Sequence, residues 1–131
     1  MIGLDTNVLV RYLTRDDESQ FRAAMKLLSR KGATFFVPDQ ILVELDWVLS
    51  RLYGWTCHEI VDSFARLLTV HNLEFVDEGR LRSALRAVRQ GADLSDELIV
   101  ADCQEHGCRE LATFDTALAK RHPKFALIPR E

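Results

Sequence analysis

The sequence predicts an α/β fold, three layers deep, with helices on both faces of a parallel sheet. Short apolar runs alternate with helical periodicity along all 131 residues. Strands separated by helices at that rhythm form parallel sheets through right-handed crossovers. No linker, repeat or low-complexity tract interrupts the pattern, and the length suits one domain, 1–131.

The elements follow in order. Residues 2–4 read as a short buried strand. Residues 7–13 read as a helix, and residues 18–29 as another, with Phe21, Ala24, Leu27 and Leu28 on one face and Gly32 ending it. Residues 34–37 form a second β-rich run stopped by Pro38, after which Asp39 can cap a helix running to about Tyr53, before Gly54. Thr56 caps a further helix to about Leu68. Residues 73–76 make a third strand, and residues 78–90 a helix with Leu81, Ala84, Leu85 and Val88 facing inward, broken by Gly91. Ser95 caps a helix ending near His106, residues 111–113 give a fourth strand, and residues 125–128 offer a fifth.

Composition excludes several function classes. Hydrophobic residues are 47% and charged residues 28%, as in water-soluble globular proteins. No stretch reaches the roughly 18 apolar residues that span a bilayer, so no membrane association is expected. The start, MIGLDTNVLV, has no basic segment before its apolar run and is not expected to be a secretory signal. Three cysteines, Cys57, Cys103 and Cys108, lack a framework spacing and point to a reduced, cytoplasmic protein. Cys103, His106 and Cys108 resemble a metal cluster, but no second ligand pair stands at finger spacing. A helix ending at His106 with Gly107 as its left-handed cap accounts for them. The net charge of −3 argues against a general nucleic-acid binder, though not against an enzyme with a local basic rim and bound cations.

In parallel α/β sheets the active crevice lies beyond the carboxyl ends of the strands. Asp5 directly follows the first strand and Asp115 the fourth. Either alone is explained as the cap of the next helix. Glu44, in ILVELDWVL, has Ile41, Trp47 and Val48 as helical neighbours, which sets a carboxylate on or beside an apolar stripe with no Lys or Arg before Arg51. A carboxylate buried there needs a partner, and a metal ion is a natural one; at the stripe's edge it reaches water instead. Asp96 shares a face with Asp93, Ile99, Val100 and Cys103, with Glu97 and Glu105 pointing elsewhere. Gathered together, Asp5, Glu44, Asp96 and Asp115 would repel one another unless a divalent cation sat among them, and oxygen-rich sites suit Mg²⁺ and Mn²⁺. There is no Gly-rich phosphate loop, nucleophile elbow or paired-cysteine motif.

These segments together resemble the PIN domain, in particular the VapC-type toxins of prokaryotic toxin–antitoxin pairs. The resemblance covers the whole chain and rests on DTNVLVRYL at residues 5–13, VEL at 43–45, ADLSDELIVA at 92–101 and TFD at 113–115. It implies a five-stranded parallel sheet and a metal-dependent endoribonuclease whose acidic metal positions are Asp5, Glu44, Asp96 and Asp115. Asp93 would be an accessory ligand, and Thr6, Asn7 and Thr113 would orient the site. Glu97 and Asp102 depart from the family pattern, which more often has small apolar residues there. The resemblance also implies an RNA substrate, a VapB-type antitoxin and a homodimer.

Arg82, Arg86 and Arg89 fall on one helical face opposite Leu81, Leu85 and Val88, and can steer a phosphate backbone or simply be a solvated face. Lys120, Arg121 and Lys124 form a second such cluster. Among Phe21, Trp47, Leu52, Tyr53 and Trp55, all are expected in the core except Tyr53 and Trp55, which are expected partly exposed. Two rivals stand beside the nuclease. A phosphoacceptor domain would need an acidic pair after the first strand and a lysine after the last, where this chain has a lone Asp5 and Pro129-Arg130. A non-catalytic protein-binding module has no need of four matched carboxylates.

Overall fold

Strands of two or three residues, all but the last followed by a helix, set the architecture. In the computed structural model, which describes residues 1–131, the chain divides into two compact units, Met1–Glu78 and Gly79–Glu131.

The first unit runs β1 (Ile2–Gly3), α1 (Thr6–Thr14), α2 (Glu18–Leu28), β2 (Phe35–Val37), α3 (Asp39–Arg51), α4 (Cys57–Leu67) and β3 (Leu73–Phe75). The three strands pair in the order β1-β2-β3, all parallel, with Ile2 opposite Phe35 and Phe35 opposite Leu73. Every crossover therefore carries helices, as parallel pairing requires. Phe35 and Val37 are fully buried, and so are Leu9 on α1, Leu42, Leu45 and Leu49 on α3, and Leu67 on α4. Each such side chain contributes about 1.5–3 kcal/mol by leaving water. α4 begins with a reciprocal cap: the Thr56 hydroxyl accepts from the Glu59 N–H, and the Glu59 carboxylate accepts from the Thr56 N–H.

The second unit holds α5 (Glu78–Arg89, its first residue in the first unit), α6 (Leu94–Glu105), β4 (Leu111–Ala112), α7 (Thr116–Arg121) and β5 (Ala126–Leu127). β4 and β5 are parallel, with Leu111 opposite Ala126. Leu81, Ala84, Leu85 and Val88 of α5 are buried as their spacing requires, and so are Leu94, Leu98 and Val100 of α6. Arg80, 7% exposed at its side chain, reaches from α5 to Asp102 at 2.7 Å and Glu105 at 2.9 Å on α6.

All five expected strands are present and every pairing is parallel, but the ladders join them as a set of three and a set of two. Three of the strands are only two residues long, so each makes few ladder bonds. Two caps differ from expectation. Asp39 is the first residue inside α3, whose cap is Pro38 with no side-chain bond. Asp93, not Ser95, caps α6, because burying Leu94 starts the helix one residue after Asp93. Glu44 is exposed rather than set into an apolar stripe: Leu42, Leu45 and Leu49 face the core and leave Glu44 on the flank. Trp47 (56%) and Leu52 (68%) are exposed instead of buried for the same reason. Tyr53 and Trp55 are partly exposed, as expected, and Phe21 is half-buried beneath the Arg15 guanidinium, 4.3 Å from the ring centroid.

Candidate functional site

Each unit places acidic side chains immediately after its strands, and each of these carboxylates also has a structural task. In the first unit Asp5 follows β1 by two residues and caps α1, its Oδ1 accepting from the Thr6 N–H at 2.8 Å. Thr6, 6% exposed, donates its hydroxyl to Oε2 of Glu44 at 2.5 Å, tying the start of α1 to the middle of α3 across 38 residues. A hydroxyl donor on a carboxylate fixes its rotamer. Asn7 is exposed and lines another cavity, about 250 Å³ between α1 and α2, with Val8, Arg11, Gln20, Ala23, Ala24 and Leu27.

In the second unit Asp115 follows β4 and caps α7: its Oδ1 accepts from the Ala117 N–H at 2.9 Å and the Leu118 N–H at 3.1 Å. Thr113 holds that turn, its hydroxyl accepting from the Asp115 N–H at 3.0 Å while its own N–H bonds the Leu127 carbonyl at 2.9 Å. Asp93 caps α6 through Oδ1, which accepts from the Asp96 N–H at 3.0 Å. Asp93, Asp96 and Asp115 line one cavity of about 340 Å³ together with Gly91, Glu97, Ala117, Leu118, Arg121 and His122.

Burial pushes the Asp96 carboxyl up from its ordinary value, and the like charges of Asp93, Asp115 and Glu97 push it further; His122 opposes them. Proximity of like charge makes the ionised form costly. Glu97 was expected to point elsewhere, but its side chain is 11% exposed and lies 3.0 Å from Nε2 of His122. Sequence reasoning missed His122 altogether. It sits 25 residues from Glu97, and no local spacing links the two, so no signal in the sequence could have found it.

Asp5, Asp93 and Asp115 use Oδ1 for backbone caps, and Glu44 uses Oε2 for Thr6. The second oxygen of each carries no hydrogen bond. In each unit taken by itself, a carboxylate oxygen left uncommitted in this way is a donor that suits a hard divalent cation. Within either unit no three acidic, His or Cys side chains stand at chelating distance as they are. Crowding of negative charge around Asp96 is the feature that a cation relieves. Of the two basic side chains that line the cavity, Arg121 and His122, His122 is already engaged by Glu97.

Arg82, Arg86 and Arg89 are exposed along α5, on the face away from Leu81, Leu85 and Val88, as expected. Arg86 bonds the Ser83 hydroxyl at 2.9 Å. No helix is long and apolar enough to cross a membrane.

Comparison with known proteins bears on these features. Residues 2–122 match the model of the PIN domain family. A protein described as VapC ribonuclease, from Aquifex aeolicus (strain VF5), is 29% identical over 121 residues, covering 89% of each chain.

Proposed function

Since the chain belongs to the PIN domain family, we propose that it is a divalent-metal-dependent endoribonuclease, the toxin of a VapBC-type toxin–antitoxin pair. Asp5, Glu44, Asp96 and Asp115 are the residues that would hold Mg²⁺ or Mn²⁺, with Asp93 as an accessory ligand. The observation that carries this is the crowding of Asp93, Asp115 and Glu97 around the partly buried Asp96 in a single cavity. The similarity to a VapC ribonuclease supports the ribonuclease assignment.

When bound, a divalent cation lowers the pKa of a water ligand and stabilises charge on a phosphate. The chain's own residues position the pieces. Thr113 fixes the backbone of Asp115, and α7's first N–H groups hold its Oδ1, so the carboxylate meets a ligand without reorganising. Thr6 does the same for Glu44, which would bind a cation or orient the attacking water. Asn7 is proposed as an orienting residue on the resemblance alone. Arg82, Arg86 and Arg89 attract the phosphate backbone, a sequence-independent and salt-sensitive contribution.

Work in the cytoplasm as a homodimer, restrained by an antitoxin, completes the proposal. The exposed Trp47 and Leu52 on and just beyond α3 offer apolar surface for protein contact.

The test is cleavage of total RNA by the purified chain with Mn²⁺ or Mg²⁺ and with EDTA, beside Asp5→Asn, Glu44→Gln and Asp96→Asn. Cleavage should need the cation and fall at least a hundredfold in each variant. Full activity in EDTA, or in all three variants, defeats the proposal.

A further inference from the structure

The two thiols at the end of α6 have no part in the proposed chemistry, yet the fold brings them together. Gly107 takes φ +85°, the Cys108 N–H donates to the Cys103 carbonyl at 2.9 Å, and the Gly107 N–H donates to the Gln104 carbonyl at 3.1 Å. This is a Schellman termination, which folds the residue after the glycine back over the last full turn, usually for an apolar contact. Here both residues of that contact are cysteines, and Cys108 stands close enough to act on the Cys103 thiol. Together with Asp102, Glu105 and His106 they line a surface cavity. Cys108 is exposed and Cys103 half-buried.

We propose that Cys103 and Cys108 form a dithiol site that small-molecule disulfides, of which glutathione disulfide is the type, oxidise to an intramolecular disulfide. The Cys108 thiolate attacks one sulfur of the reagent and breaks its S–S bond, and the departing thiolate takes up the proton that Cys108 gave up. The Cys103 thiolate then attacks the Cys108 sulfur of the mixed disulfide and expels the second small thiol, which gains the Cys103 proton. Two protein thiols lose two electrons and two protons, and the reagent's disulfide becomes two thiols. The order follows exposure: Cys108 meets the reagent first. Cys103, whose thiol is pushed up by burial and then by Cys108, resolves the intermediate. The turn already folds Cys108 back over Cys103, with a backbone hydrogen bond between the two residues. Closure pins the last turn of the helix whose first turn carries Asp96.

The experiment incubates the full chain with glutathione disulfide and reduced glutathione at graded ratios, then digests it without reduction. Trypsin leaves both cysteines in one peptide, residues 90–109, and cleavage after Glu105 separates them. The expected product is that peptide lighter by two hydrogen atoms, its halves joined after cleavage at Glu105 until a reductant is added. Cys57→Ser should leave this unchanged, while Cys108→Ser should abolish it. Circular dichroism confirms that each variant is folded. A stable glutathione adduct on Cys108 without ring closure, a disulfide between two chains, or oxidation that falls equally on Cys57 overturns the proposal. None of these outcomes bears on RNA cleavage.

Discussion

Replacing Asp115 separates two tasks that one side chain performs. Its Oδ1 caps α7 through two backbone N–H groups at 2.9 and 3.1 Å, while its charge raises the cost of ionising Asp96. Asn caps a helix about as well as Asp, whereas Ala loses about 0.5–2 kcal/mol. Asp115→Asn also gives up about 0.3–1 kcal/mol of helix-dipole attraction and relieves repulsion on Asp96, so without metal its net change should stay within about 1 kcal/mol. For a chain of this size, 1 kcal/mol moves the melting temperature by about 3–5 °C. A cation at one hundred times its Kd stabilises the folded state by about 2.7 kcal/mol, a rise of about 10 °C. Thermal unfolding followed by circular dichroism, in EDTA and in saturating Mn²⁺, reads both effects. In EDTA, Asp115→Ala should melt several degrees below wild type and Asp115→Asn close to it; in Mn²⁺, wild type alone should gain the full rise. If Asp115→Asn falls as far as Asp115→Ala, the cap is not what the carboxylate contributes. If it keeps the whole Mn²⁺ rise, Asp115 is no ligand.

Two further outcomes follow. Thr6→Val keeps the buried shape but removes the donor to Glu44; it should cost about 1 kcal/mol in a denaturant titration and lower RNA cleavage about tenfold, with Thr6→Ser restoring most of both. The Asp16 carboxyl is held below its ordinary value of 3.8, first by the Tyr53 hydroxyl that donates to it. A lowered folded value means stability that is present above pH 3.8 and lost as pH falls through that lower value. Tyr53→Phe should therefore flatten the acid limb of stability below about pH 4, measured by denaturant midpoints, and a limb as steep as wild type would show that this bond does not set it.

Local signals were readable wherever a short stretch determines its own conformation. Thr56 and Glu59 announce their capping box, and Gly107 ends α6 with the positive φ expected of it. Placement of Asp5 and Asp115 after strands also followed from runs of three or four residues. What escaped depends on choices between faces. α3 is apolar nearly all round, so periodicity alone does not say that Leu42, Leu45 and Leu49 turn inward and leave Trp47 and Glu44 outside. α6 is similar, with Leu98 and Val100 buried and Ile99 exposed between them, which hid the inward turn of Glu97. α7 has six residues, too few to display a period. Glu97 with His122 and Thr6 with Glu44 are tertiary pairs, and nothing in either local sequence names the other member.

The glycine that separates α5 from α6 constrains a residue thirty positions away. Gly91 takes φ +100°, and a Cβ built on it would stand 3.2 Å from a guanidinium nitrogen of Arg121. Any larger amino acid there must accept a left-handed backbone, and the guanidinium that borders the acid-lined cavity must give by a small fraction of its length. A side chain at position 91 would thus press on a charge that borders the cavity without touching a single carboxylate, and the backbone conformation makes this small residue hard to exchange.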